Sequence, residues 1–191
     1  MPNAETITLY YGNWANTGCE RKVEMPMALW FIEHFDHDLI EVGEVCPFQI
    51  GGVKHTVYDY GPQQGSTIRM DASDIDYTGK NLLSISTIEH VGNGDYGYQK
   101  DESKAIILLK RMIGESKNYL ITFPVGYNKA FEKEIVASGL EYILLERNEH
   151  NYWTQVDHKD FSAYEYNSPY GAGNAVCVFT NLAERFEFRL Q

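Results

Sequence analysis

Apolar residues in this chain fall into two patterns, short unbroken runs and longer stretches that repeat every three or four residues. The short runs lie at residues 39–42, 56–60, 82–86 and 119–123, with a weaker one at 67–70. Runs of this length, rich in Leu, Ile, Val and Tyr and bounded by Gly, Pro or Asp, read as strands buried on both faces. Between and around them lie three helical patterns. Residues 20–32 place Ala28, Leu29 and Ile32 on one face, with Pro26 suited to a first turn. Residues 102–113 place Ala105, Leu108, Leu109 and Met112 on one stripe. There Asp101 is positioned to cap, Lys110 and Arg111 suit the C-terminal dipole, and Gly114 can close the helix. Residues 129–138 form the third pattern, ended by Gly139.

Two further β runs close the chain, 140–147 and 175–180, with no helix-length pattern between them. Parallel neighbours need a crossover of a dozen or more residues, usually a helix, so these two are expected to pair antiparallel at one edge of an otherwise parallel sheet. The expected fold class is α/β: a mostly parallel seven-stranded sheet with one antiparallel C-terminal strand and helices on both faces. Residues 1–37 form an N-terminal segment with the leading helix, 38–191 the α/β domain proper, and the whole reads as one domain. The first 19 residues carry Tyr10, Tyr11 and Trp14 without clean periodicity, and read as a short strand or loop packed on the domain.

A net charge of −11 and pI near 4.9 argue against nucleic acid as a partner, because phosphate binding needs clustered Lys and Arg. No apolar run approaches the ~20 residues of a membrane span, and the first residues lack the basic and apolar regions of a signal peptide. A cytoplasmic location is expected. Cys19, Cys46 and Cys177 are odd in number and widely spaced, which fits free thiols in a reducing compartment.

Candidate chemistry gathers where the strand patterns stop. In open α/β sheets ligands sit outside the carboxyl ends of the strands. Leu39-Ile40-Glu41-Val42-Gly43 ends in an acid and a glycine, and Asp59 ends the second run. Asp71 and Ala72 follow the third, and Leu82-Leu83-Ser84-Ile85-Ser86-Thr87-Ile88-Glu89-His90-Val91-Gly92 runs from strand into a Glu-His pair. A neutral imidazole at a strand end can take a proton from a hydroxyl near neutral pH. Ordinary strand-end turns are the alternative at each of these positions. His34, His37 and His55 read as surface residues. His150 and His158 flank Tyr152 and Trp153 in a long loop that either shapes a pocket or packs as an aromatic cover.

The set of strand ends, with Gly92-Asn93-Gly94-Asp95-Tyr96-Gly97 and Pro124-Val125-Gly126, resembles the class I S-adenosylmethionine (SAM) dependent methyltransferases. Within them it is most similar to a small family associated with polysaccharide-synthesis genes, whose fourth strand reads Ser-x-x-Glu-His-Val-Gly. The resemblance implies a transferase with SAM as cofactor, held by Glu41, Gly43, Asp59, Asp71, Ala72, Ser86 and Thr87. Glu89 and His90 would then face the acceptor. The implied acceptor is a small polar molecule or glycan precursor methylated on a hydroxyl, and self-association into a homo-oligomer stays open. Ser86 stands where some O-methyltransferases have the first acid of a magnesium site, so no metal is expected. Glu44, Val45 and Cys46 replace the two further glycines usual after Gly43. That departure keeps two alternatives in play: a non-catalytic protein that retains the fold, and a transferase that binds a nucleotide-sugar through the same strand-end acids.

Overall fold

The computed structural model describes residues 6–61, 65–97, 99–157, 160–182 and 185–190. Ten strands and four helices are assigned among these residues. The chain runs β1 (Thr6–Tyr10), α1 (Arg21–His34), β2 (Leu39–Val42), α2 (Cys46–Ile50), β3 (Thr56–Asp59), β4 (Ile68–Arg69) and β5 (Asn81–Ile85). It continues through α3 (Lys104–Glu115), β6 (Asn118–Pro124), α4 (Lys129–Ser138), β7 (Ile143–Arg147), β8 (Trp153–Val156), β9 (Ala175–Thr180) and β10 (Arg185–Arg189).

Eight of these strands make one mixed sheet in the order β4-β3-β2-β5-β6-β9-β7-β8. From β4 to β6 every pairing is parallel; β9 runs antiparallel to both β6 and β7, and β8 antiparallel to β7. The antiparallel relation of β7 and β9 follows the expectation. Their position does not, because β9 lies inside the sheet between β6 and β7, and the edge belongs to β8. The sheet therefore has eight strands, two of them reversed, where seven with one reversed were expected. The extra strand hid in the long 148–174 segment. It spans four residues, too few for a period of two to show, and is launched by a tight turn in which Asn148 accepts the amides of His150 and Tyr152 on its side chain.

Strand alternation sends the two faces of the sheet to two cores. Ile40, Leu82, Ile121 and Phe123 pack with Leu109, Met112 and Phe131 of α3 and α4. Leu39, Leu83, Ile85 and Leu120 pack with Val23, Met27 and Phe31 of α1. Burying a side chain of this size contributes roughly 1.5–3 kcal/mol, so each face anchors its helices firmly. The second core also holds Leu9 and Phe186, from the parallel pair β1 and β10. Along Arg185-Phe186-Glu187-Phe188-Arg189 of β10, Phe186 is buried and Arg185 and Arg189 are exposed.

Helix ends differ from expectation in two places. Pro26 is the sixth residue of α1, inside the helix, where it lacks the amide that would meet the carbonyl four residues back. Helix α3 starts two residues later than expected and includes Gly114; Asp101 folds the preceding turn by accepting the amide and hydroxyl of Ser103. Helix α4 has its expected bounds. Asn128 accepts the Phe131 amide at one end, and Gly139 adopts the left-handed conformation at the other. Among the described residues no helix is long and apolar enough to cross a membrane.

Candidate functional site

The chain leaves β2 toward β3 on one side and returns to β5 on the other, so the sheet changes winding direction between β2 and β5. A cavity of about 600 Å³ opens at that point, over the carboxyl ends of β2, β3 and β5. Topological switch points of this kind are where open α/β sheets bind ligands. Its wall includes Gly43, Asp59, Asp71, Ala72, Ser86, Thr87 and His90, seven of the nine residues singled out at the strand ends.

Glu41 and Glu89 do not line it. The Glu41 carboxyl is fully buried behind the first loop, where one oxygen accepts the Val45 and Cys46 amides at 3.1 and 2.7 Å and the other meets His55 Nε2 at 2.8 Å. It thereby caps the start of α2 and shapes the loop. His55 is not the surface residue expected, since its side chain is 3% exposed and is drawn inward by that carboxylate. His34, His37 and His150 are exposed; His158 lies outside the described residues.

Gly43 has φ +93° and rests on Thr87, whose Oγ1 lies 1.9 Å from where a Cβ would be. A bare backbone at this point lets the loop close onto the β5 end. Asp59 ties the loops beyond β2 and β3 together, accepting the Glu44 amide at 2.9 Å and the Gly61 amide at 2.6 Å. Asp71 holds Lys104 at 2.7 Å and the Ser73 amide at 2.9 Å. Burial works against that carboxylate, yet these partners keep it below the usual carboxylate range.

Ser86 sits at φ +41°, a conformation that non-glycine residues rarely adopt and that holds its hydroxyl toward α1. Its Oγ accepts from Arg21 at 2.8 Å and donates to Glu24 Oε1 at 2.8 Å, an oxygen that also receives the Thr122 hydroxyl at 2.7 Å. Arg21 also contacts Glu24 directly and forms part of the cavity wall. Burial alone would lower the Arg21 guanidinium; Glu24 and Glu20 more than offset it and hold its proton tightly. Burial pushes the Glu24 carboxyl up, against the pull of Arg21.

Beyond Thr87 the chain makes a single 3₁₀ turn that buries Glu89 and leaves His90 on the cavity wall. The Glu89 carboxyl is raised well above the ordinary range by burial, and among the described residues its Oε2 has no hydrogen-bond partner. His90 Nε2 lies 3.8 Å from Glu89 Oε1, and Nδ1 lies 2.7 Å from Asp95 Oδ2. Tyr127 braces the imidazole edge-on with ring centroids 4.7 Å apart. The long loop reaches this corner through Tyr166, edge-on to Tyr127 at 5.2 Å, whereas Trp153 is buried in the core as packing.

Arg21, Glu24, Lys104, Asp95 and Tyr127 were not legible as site residues. The one signal for the first two was a charged stretch, Glu20-Arg21-Lys22-Val23-Glu24, at the start of a helix that is otherwise buried. No group of three His, Cys, Asp or Glu side chains suited to a metal ion occurs among the described residues. Compared with known proteins, the chain matches no family model, no curated protein and no solved structure.

Proposed function

We propose that this protein is a SAM-dependent methyltransferase of Rossmann-like fold acting on a hydroxyl of a small polar acceptor such as a sugar or glycan precursor. One observation carries the reading: Gly43, Asp59 and the Ser86–Thr87 corner, far apart in sequence, meet around one cavity at the switch point of a mostly parallel sheet. The reversed strand β9 beside β6 supports it, since a reversed strand toward the C-terminal end of a mostly parallel sheet is what the resemblance implies.

The residues present fit the cofactor. At Gly43 the missing side chain lets the first loop close onto Thr87 and bound the cavity, and the Asp59 carboxylate on the same wall is an acceptor of the kind ribose hydroxyls need. Asp71 and Ala72 stand where an adenine amine and ring would lie. When bound, SAM supplies an electrophilic methyl group on a sulfonium. The chain's part is then positioning, with His90 able to accept the acceptor proton.

Charge separates this reading from a nucleotide-sugar transferase. The wall carries Glu44, Asp59 and Asp71 against Arg21 and Lys104, and both cations already face carboxylates, Glu24 and Asp71. Such a wall suits a cationic ligand better than a diphosphate. A non-catalytic reading draws on the first loop. The amides of Glu44, Val45 and Cys46 are spent on Asp59 and Glu41, so they are not available for a ligand carboxylate.

Calorimetric titration with S-adenosylhomocysteine and with a uridine diphosphate sugar separates these readings. S-adenosylhomocysteine is expected to bind and the diphosphate sugar not. Asp59→Ala should weaken that binding by about 1–3 kcal/mol, the usual cost of unpaired donors. Unchanged affinity in this variant removes Asp59 from the site, and absence of binding to the unaltered protein favours the non-catalytic reading.

A further inference from the structure

We propose that Asp95 is a positioning residue that holds His90 as the Nδ1–H tautomer, presenting Nε2 as the base for a neutral hydroxyl acceptor. The inference rests on the methyltransferase reading and deepens it. It names the group that fixes the base, and with it the class of acceptor.

Asp95 opens a short 3₁₀ turn, Asp95–Gly97, inside the glycine-rich segment after His90. Its Oδ2 lies within hydrogen-bond distance of three groups: His90 Nδ1 at 2.7 Å, Asn93 Nδ2 at 3.2 Å and the Tyr127 hydroxyl at 3.2 Å. Burial acts to raise this carboxyl, but those bonds, His90 foremost, keep it below the usual range and therefore ionised. An ionised carboxylate only accepts, and a neutral imidazole has a single N–H. The proton of a neutral His90 must then sit on Nδ1, and the lone pair on Nε2. The ring forms part of the cavity wall, and Tyr127 packed on its edge opposes a flip that would exchange the two nitrogens.

Glu89 is the other carboxyl at this corner, and it does not compete for the role. It is buried, that burial raises its carboxyl well above the ordinary range, and its nearer oxygen is 3.8 Å from Nε2, beyond hydrogen-bond distance. The step balances with His90 alone. The acceptor oxygen gains the methyl carbon, the carbon–sulfur bonding pair stays on sulfur, and the hydroxyl proton moves to Nε2. The imidazolium so formed faces the Asp95 carboxylate. A carboxylate acceptor would bring no proton to lose and would leave this arrangement without a task, whereas an alcohol requires it.

The test is nitrogen-15 NMR of the His90 ring in the full chain, at a pH where imidazole is neutral, with and without S-adenosylhomocysteine. The unaltered protein should show the Nδ1–H form. Asp95→Asn and Asp95→Ala should lose it in favour of Nε2–H, Asp95→Glu should restore part of it, and Tyr127→Phe should keep it. An Nε2–H ring in the unaltered protein, or an Nδ1–H ring that survives Asp95→Asn, overturns the proposal even if S-adenosylhomocysteine binds. Should the Asp95 variants fail to fold, the unaltered and Tyr127→Phe proteins still decide the tautomer. Failure of S-adenosylhomocysteine to bind the unaltered protein overturns the methyltransferase reading and this proposal together.

Discussion

Replacing His90 with alanine should lower kcat by roughly 10²–10⁴-fold, the contribution of a positioned general base, while affinity for S-adenosylhomocysteine stays nearly unchanged. The expectation comes from the division of labour around the cavity. Gly43, Asp59 and Ser86 follow the ends of β2, β3 and β5 around the cavity, and His90 stands one turn beyond Ser86, held by Asp95 and Tyr127. Methyl transfer assayed as S-adenosylhomocysteine formed over a panel of monosaccharides gives the rate, and calorimetry gives the affinity. Glu89→Gln is the informative companion. Because burial raises the Glu89 carboxyl well above the ordinary range and so favours its neutral form, the neutral amide should cost far less than His90→Ala. If affinity and rate fall together in His90→Ala, the residue is a structural cap and the base lies elsewhere.

Gly43→Ala should destabilise the fold by roughly 2–4 kcal/mol and take cofactor binding with it. Two costs add. An alanine must hold φ +93°, and its Cβ would lie 1.9 Å from Thr87 Oγ1 and 2.8 Å from Thr87 Cβ and Cγ2. Thr87 cannot simply swing aside, because its hydroxyl donates to the Ile85 carbonyl at 2.9 Å. The midpoint of urea unfolding measures the loss. Adding Thr87→Ala should recover part of it, since two of the three clashing atoms are removed and the φ cost remains. A Gly43→Ala midpoint equal to that of the unaltered protein would mean that the loop has another conformation.

Much of this arrangement was legible from apolar runs alone. β2 and β9 have the bounds that their runs predict, and α4 ends at Gly139 as its pattern indicates. Those segments are buried on both faces or capped by local chemistry, so their signals are local. β8 and β10 were missed for different reasons. β8 has four residues behind a tight turn, and β10 pairs with β1, its partner from the other end of the chain. The strand-end residues could be named because each follows its own strand. Arg21 could not, since its place at the cavity depends on a helix packing 65 residues away from Ser86. His55 misled because a lone histidine opening a strand gives no sign of the buried Glu41 that holds it. The Asp95 contact was closer at hand, five residues from His90, but only the turn between them brings the two side chains to 2.7 Å.

A crystal structure of the protein grown with S-adenosylhomocysteine decides whether this cavity is a cofactor site. The ligand is expected in the cavity over β2, β3 and β5, with its ribose hydroxyls on Asp59, its adenine beside Asp71 and Ala72, its chain passing Gly43, and its sulfur on the His90 side. A ligand bound at any other place, or a cavity that stays empty at saturating S-adenosylhomocysteine, would contradict it.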